Sequence, residues 1–203
     1  MQCFAIDGVI PVVSPDAFIH PSATLIGDVV VGAGCYIGPG AVLRGDFGPI
    51  RIAAGSNIQD NCVLHSGVDT PLIVEENGHV GHGAVLHACH LERGVLVGMN
   101  AVVMDGARLG RQCIVGAMAF IPAGRVCAPR QLLLGLPAKA VRTLSDEEII
   151  AKQRATRAYH HLAIRCRRSL VAVQPLSTLE AKRPMLDLSV FAASAAETSG
   201  LTE

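Results

Sequence analysis

Three histidines in the stretch Leu43 to Leu91 stand where side chains could share a metal ion. His65 directly follows Leu64 and His87 directly follows Leu86, so the two hold the same place in their local pattern, 22 residues apart. His82 stands two places after Val80. Three neutral imidazoles with one open position make a site of the catalytic zinc type, which lowers the pKa of bound water to about 7. The hydroxide so formed attacks electrophilic carbonyls. Zinc is the expected metal, and iron or cobalt also suits an all-imidazole set.

The elements that must position these residues come from a hexapeptide repeat. Aliphatic residues recur every six positions at Ile19, Leu25, Val31, Ile37 and Leu43. The count pauses for three residues, Phe47, Gly48 and Pro49 or an equivalent trio, and resumes at Ile52, Ile58 and Leu64. A pause of four follows, then Val74, Val80 and Leu86, a contraction to Leu91, and regular sixes through Val97, Val103, Leu109, Val115 and Ile121. A short fixed period of this kind predicts a parallel β-helix, with one hexad per face and three hexads per coil. Eighteen residues return the chain to the same face one strand spacing higher, about 4.8 Å.

The geometry sorts the histidines. Three hexads plus the four inserted residues separate His65 from His87, so they stack at one corner of adjacent coils. His82 lies one hexad earlier than His87, on a different face, and does not reach the pair within its own chain. Closing the site therefore calls for a neighbouring subunit, as in a cyclic trimer with sites at its interfaces. Gly32, Gly38, Gly98, Gly110 and Gly116 each follow a repeat aliphatic, where a tight corner is expected to need permissive dihedrals.

LRGD, NIQDN, the LH at Leu64–His65 and GHGAVLH, with GMNAVVMDGA and the exit motif GLPAKAVR, resemble the γ-class carbonic anhydrase-like family of hexapeptide-repeat proteins. The similarity runs from Ile6 to about Leu170. It is greatest to the phenylacetate-degradation branch, with the carnitine-operon branch next. The resemblance implies an all-β fold, a left-handed β-helix followed by a C-terminal helix, although parallel crossovers are normally right-handed. It implies a homotrimer in which His65 and His87 of one chain and His82 of the next hold the metal. It assigns Gln59 to orienting bound water, Asn57 to supporting that region, and Arg44, Asp46 and Asp60 to buried charged positions at the subunit interface. Tyr159 matches a family tyrosine facing the site from the C-terminal helix. The implied activity is metal-dependent hydrolysis of acyl-CoA thioesters that arise as by-products of aromatic catabolism. Carbon dioxide hydration shares the site, but the insertion SGVDTPL lacks the family's proton-shuttling glutamate, and only Asp69 stands near to replace it. A hexapeptide acyltransferase or scaffold is the third reading. Acyltransferases of this type use a lone histidine, and the stacked pair argues against it.

Composition sets outer limits. Half of the 203 residues are apolar, glycine is abundant, aromatics make up 3% and tryptophan is absent, which suits a narrow prism filled with Val, Ile, Leu and Ala. Seventeen basic and seventeen acidic residues balance, giving no field for nucleic acid or an anionic membrane. Gly, Pro or a charge interrupts each apolar run before membrane-spanning length. The opening MQCFAIDGVI lacks a basic residue, so a cytoplasmic protein is expected. The seven cysteines form no CxxC pair. Cys35, Cys62 and Cys113 fill a small inward slot held elsewhere by alanine, whereas Cys89, near His87, remains open as a reactive thiol.

The expected organisation is a β-helix domain over 1–140, a helical segment over 141–172 and a tail over 173–203. Ser145 with Glu148 predicts a capping box, and the helix runs from Ser145 to Leu170 with Ile149, Ile150, Ala158, Leu162 and Ile164 on one face. Arg165, Arg167 and Arg168 suit its C-terminal dipole. The tail is expected to be a partly ordered arm with a disordered tip. His20 has no partner one coil away. His79 and His90 flank the site, and His160 and His161 are expected to be packing or interface residues of the helix. The arginines of that helix form a solvated face or meet coenzyme A phosphates.

Overall fold

In the computed structural model, which describes residues 1–189, the hexads close into a β-solenoid of about seven turns followed by a single helix, α1 (Asp146–Ser169). The three faces follow from the period. The first face carries strands such as Tyr36–Ile37, Asn57–Ile58, His79–Val80 and Leu96–Val97. The second carries Val63–His65, Val85–His87, Val102–Val103 and Phe120–Ile121. The third carries Leu72–Val74, His90–Leu91, Arg108–Leu109 and Val126–Cys127. The long strands Thr24–Val31 and Val42–Ile52 cross from second face to third without breaking. The three-residue pause in the repeat is thus absorbed inside a continuous strand. The later pause of four folds into a tight turn, in which Gly67 and Thr70 bridge.

Each predicted aliphatic column is one inward ladder. Leu43, Leu64, Leu86 and Val103 are in register on the second face, and Ile37, Ile58, Val80 and Val97 are in register on the first. All are fully shielded from solvent. Burying one such side chain contributes roughly 1.5–3 kcal/mol, so stability is spread along the whole axis. Cys35, Cys62, Cys89 and Cys113 lie in this core, and burial pushes the Cys89 thiol up to about 12. Cys89 is a packing residue, not a nucleophile.

The corner glycines serve a different purpose from the one expected. Gly38 and Gly98 are absent from the residues with positive φ; a Cβ on Gly98 would lie 2.5 Å from Ala117 N, and one on Gly38 would lie 2.9 Å from Asp60 N. They are small because the next coil passes that closely. The left-handed residue comes two places later, at Gly40 and Asn100.

Ser145 and Glu148 form the predicted capping box, with Arg167 and Arg168 in the last turn. The docking face of α1 keeps Ile149 and Leu162 of the expected apolar set and departs from it elsewhere. Ile149, Lys152, Thr156 and Ala163 are buried, while Ile164 is 61% exposed. The helix lies against a corner that presents backbone carbonyls, so it docks with donors. Lys152 Nζ donates to Gly94 O, and His160 Nε2 donates to Gly55 O. An aromatic cluster of Phe18, Tyr36 and Tyr159 holds its middle to the first face.

That docking requires glycine at position 55. It has φ +69, and a Cβ there would lie 2.7 Å from Asn77 Oδ1 and 3.0 Å from His160 Nε2. Gly34 has φ +65 with nothing within 4 Å. Gly34→Ala is expected to cost only the left-handed penalty of about 1–2 kcal/mol. Gly55→Ala should cost about 1–3 kcal/mol more through overpacking, measured by denaturant unfolding of both variants.

Residues 171–188 form neither helix nor strand. The expected disordered tip, 190–203, lies outside the described residues. Among the described residues, no helix is long and apolar enough to cross a membrane.

Candidate metal centre

The expected site residues form two clusters, one at each edge of the second face. At the edge shared with the third face, His65 and His87 are paired in register on adjacent strands, with Arg44 one coil below His65. His65 Nδ1 lies 3.0 Å from His87 Nε2. Their outer nitrogens each meet a carboxylate, His65 Nε2 to Asp46 Oδ1 at 2.9 Å and His87 Nδ1 to Asp105 Oδ1 at 2.8 Å. Arg44 holds Asp46 from the other side at 3.1 Å. Burial alone would favour a neutral Asp46, but the His65 hydrogen bond and the Arg44 charge hold its carboxyl below the usual range.

This arrangement fits a cation. A carboxylate only accepts, so Asp46 and Asp105 place the imidazole protons on the outer nitrogens. Both facing nitrogens are then lone pairs, and at 3.0 Å they repel unless a positive charge sits between them. Carboxylates behind ligating histidines are the usual means of fixing tautomer and ring orientation. Asp105 escaped the sequence reading, although it stands 18 residues after His87, one regular coil, and so falls at the same corner. Asp105→Asn is expected to weaken metal affinity by about 10–100-fold with the fold intact, measured by competition with a chelator.

At the edge shared with the first face, His82 stands apart from that pair. Its Nδ1 lies 3.3 Å from Asp60 Oδ2, and Tyr159 OH lies 3.4 Å from its Nε2. Burial first, then the Asp60 charge, raises the Tyr159 pKa, so the phenol donates at neutral pH. No group of three or more metal-ligating side chains forms within the chain among the described residues.

Asn57 and Gln59 are buried beside this second cluster, joined to His79. Thr156 Oγ1 donates to Lys152 O, a backbone carbonyl that can only accept. Thr156 therefore accepts from His79 Nδ1, 3.3 Å away, and His79 Nε2 accepts from Gln59 Nε2 at 2.8 Å; in this tautomer Asn57 Nδ2, also 3.3 Å from Nδ1, touches the ring without a hydrogen bond. Gln59 Nε2 also donates to Asn57 Oδ1 at 2.9 Å. Both amide hydrogens of Gln59 are thus committed, and its Oε1 is left to accept. His79 fixes which way the Gln59 amide points, a role the sequence did not reveal.

Burial, reinforced by the charges of Lys152 and His82, lowers the His79 pKa from 6.5 to about 4. The fold thus favours the neutral ring. Its stabilisation is complete above about 6.5 and is lost as pH falls toward 4. Unfolding free energy should fall by on the order of 2–3 kcal/mol across that window, and His79→Gln should flatten the decline, measured by urea unfolding at stepped pH.

The remaining histidines fall outside both clusters. His90 pairs with Glu75, and His20 with Ser22.

Comparison with known proteins agrees with this architecture. Residues 11–45 match the family described as bacterial transferase hexapeptide (six repeats). The carnitine operon protein CaiE of Salmonella agona (strain SL483) is 55% identical over 186 residues, covering 92% of this chain and 94% of that protein. CaiE of Escherichia coli (strain K12) is likewise 55% identical, covering 92% and 95%. The chain belongs to the CaiE family of hexapeptide-repeat proteins. Among solved structures, a hexapeptide transferase family protein from Anaplasma phagocytophilum is 36% identical with TM-score 0.77, covering 80% of this chain and 96% of that one. A Bacillus cereus protein described as a candidate acetyltransferase is 34% identical with TM-score 0.79, covering 80% and 94%.

Proposed function

We propose that this protein is a metal-dependent hydrolase of acyl-CoA thioesters whose active sites form between the subunits of a trimer. The observation that carries the reading is the facing pair of imidazole nitrogens at 3.0 Å, each backed by a carboxylate. The outer side of the second face supports the assembly. Val42, Val63, Val85, Val102 and Phe120 stand in register there as an apolar ladder between the two histidine clusters. Exposed Met99 and Met118 flank it at the His82 edge, and exposed Phe47 at the other. Three prisms that turn this face to a common axis bury the ladder. They also set the His82 edge of one subunit against the His65/His87 edge of the next.

His65, His87 and the neighbour's His82 would hold the cation, zinc or another divalent metal such as iron or cobalt. Such a cation, when bound, supplies hydroxide at neutral pH by lowering the pKa of water to about 7. The chain's own groups do the rest. Asp46 and Asp105 aim the two stacked imidazoles, Gln59 Oε1 accepts a hydrogen bond from the attacking water, and Tyr159 donates a proton or a hydrogen bond beside it. Thioester hydrolysis, rather than another acyl chemistry, is supported by the similarity of the motifs to the phenylacetate-degradation protein PaaY. Acyl transfer is the second reading, favoured by the Bacillus cereus protein's description, and it draws on the same acyl donor class.

A metal-quantified preparation assayed against a panel of acyl-CoA thioesters and against carbon dioxide hydration tests the proposal. Thioester turnover with negligible hydration is the expected result. Hydration without thioester turnover would replace it with carbonic anhydrase activity, and turnover only with an added amine or alcohol acceptor would replace it with acyl transfer.

A further inference from the structure

The third corner of the prism, where the third face meets the first, carries a cavity of about 390 Å³ beneath α1. Arg93, Lys152, Arg157 and His160 border it together with Gln112 and Gln153, and no carboxylate is among its lining residues. Arg93 is already neutralised by Glu76, 2.9 Å away. Lys152 and Arg157 have no carboxylate partner among the described residues. Lys152 is 4% exposed, and among the described residues its Nζ meets only neutral oxygens, Gly94 O and, at 3.4 Å, Gln112 Oε1. Arg157 Nε and Nη2 are shut from solvent and have no hydrogen-bond partner among the described residues. These nitrogens form the side-on edge of the guanidinium, the edge that receives an oxyanion bidentately. An ammonium and one guanidinium edge withdrawn from water without a counter-charge are costly, and the cost falls when an anion joins them.

We propose that this cavity binds a small phosphate-class oxyanion, held between the Lys152 ammonium and the side-on edge of Arg157, with Gln112 and Gln153 at its margin. Burial by itself lowers the Lys152 pKa to about 8, and a bound anion raises it again. The cavity lies at the corner opposite the apolar second face, so the site stays open in the proposed trimer and does not depend on the metal centre. Thr156 also lines it and accepts from His79, so the anion sits one helix residue away from the group that orients Gln59. The phosphate has two possible sources, free inorganic phosphate or the 3′-phosphate of coenzyme A.

The test titrates full-length protein with inorganic phosphate at constant ionic strength. It is read by thermal unfolding and by phosphorus-31 line broadening, with chloride as the control. Phosphate should raise Tm and broaden the line where chloride does neither. Arg157→Gln and Lys152→Gln should each weaken binding at least about tenfold, since each removes a charged partner of the anion. Arg157→Gln leaves the Gly94 anchor of the helix in place, so it reports on binding even if Lys152→Gln unfolds. Adenosine 3′,5′-bisphosphate distinguishes the sources. If it displaces phosphate and binds more tightly, the coenzyme tail is the ligand; if it does not compete, free phosphate is. Phosphate acting no differently from chloride, or binding that Arg157→Gln leaves unchanged, overturns the proposal. Neither readout uses catalytic activity, so the result stands apart from the fate of the thioesterase reading.

Discussion

Mixing His65→Ala with His82→Ala is expected to restore activity that neither variant has alone. Each substitution removes one of three ligands from every site, a larger loss than the about 10–100-fold that follows removal of a supporting group. The ring arrangement makes the two lesions complementary. In the proposed trimer a site needs intact His65 and His87 from one chain and intact His82 from the next around the ring. When the two variants are co-expressed in equal amounts, about one junction in four joins an intact pair to an intact His82. About a quarter of wild-type activity should return. His65→Ala with His87→Ala provides the control, since both lesions fall on the same side of every site and mixing repairs nothing. Activity in that control, or none in the first mixture despite mixed trimers confirmed by mass spectrometry, would refute the division of ligands. The separation of the clusters motivates the experiment. His82 meets Asp60 and Tyr159 at one edge of the face, while His65 and His87 meet each other at the opposite edge.

Chelation of the metal should abolish thioester hydrolysis and leave the circular dichroism of the β-helix nearly unchanged. The two readouts separate because different parts of the molecule control them. The fold rests on inward ladders that run the length of the prism, each buried aliphatic side chain contributing roughly 1.5–3 kcal/mol. A cation touches only side chains at the corners. Freed of it, the facing lone pairs of His65 and His87 relax by turning one ring, at little cost to the ladders. Full turnover by verified metal-free protein is the result that would sink metal dependence. Buried Cys89, with its thiol pushed up to about 12, offers no alternative nucleophile.

By itself the sequence determined the coil. A six-residue aliphatic period specifies three faces and an inward ladder on each, because side chains that recur once per face have only one interior to share. The period also placed His65 over His87 and set His82 on another edge, since register in a solenoid is simple counting. Ser145 and Glu148 marked the start of α1, because a capping box is satisfied within four residues. What only the tertiary structure decided is everything that depends on which atoms face each other. Asp105 joins His87 across a coil, and nothing local to an aspartate announces its partner. The orientation of the Gln59 amide is set by a hydrogen-bond chain that begins at a helix carbonyl far away in sequence. The docking face of α1, apart from Ile149 and Leu162, escaped an apolar pattern for the same reason. It meets a corner of backbone carbonyls, where the favourable residues are donors such as Lys152 and His160, and a hydrophobic periodicity cannot record them.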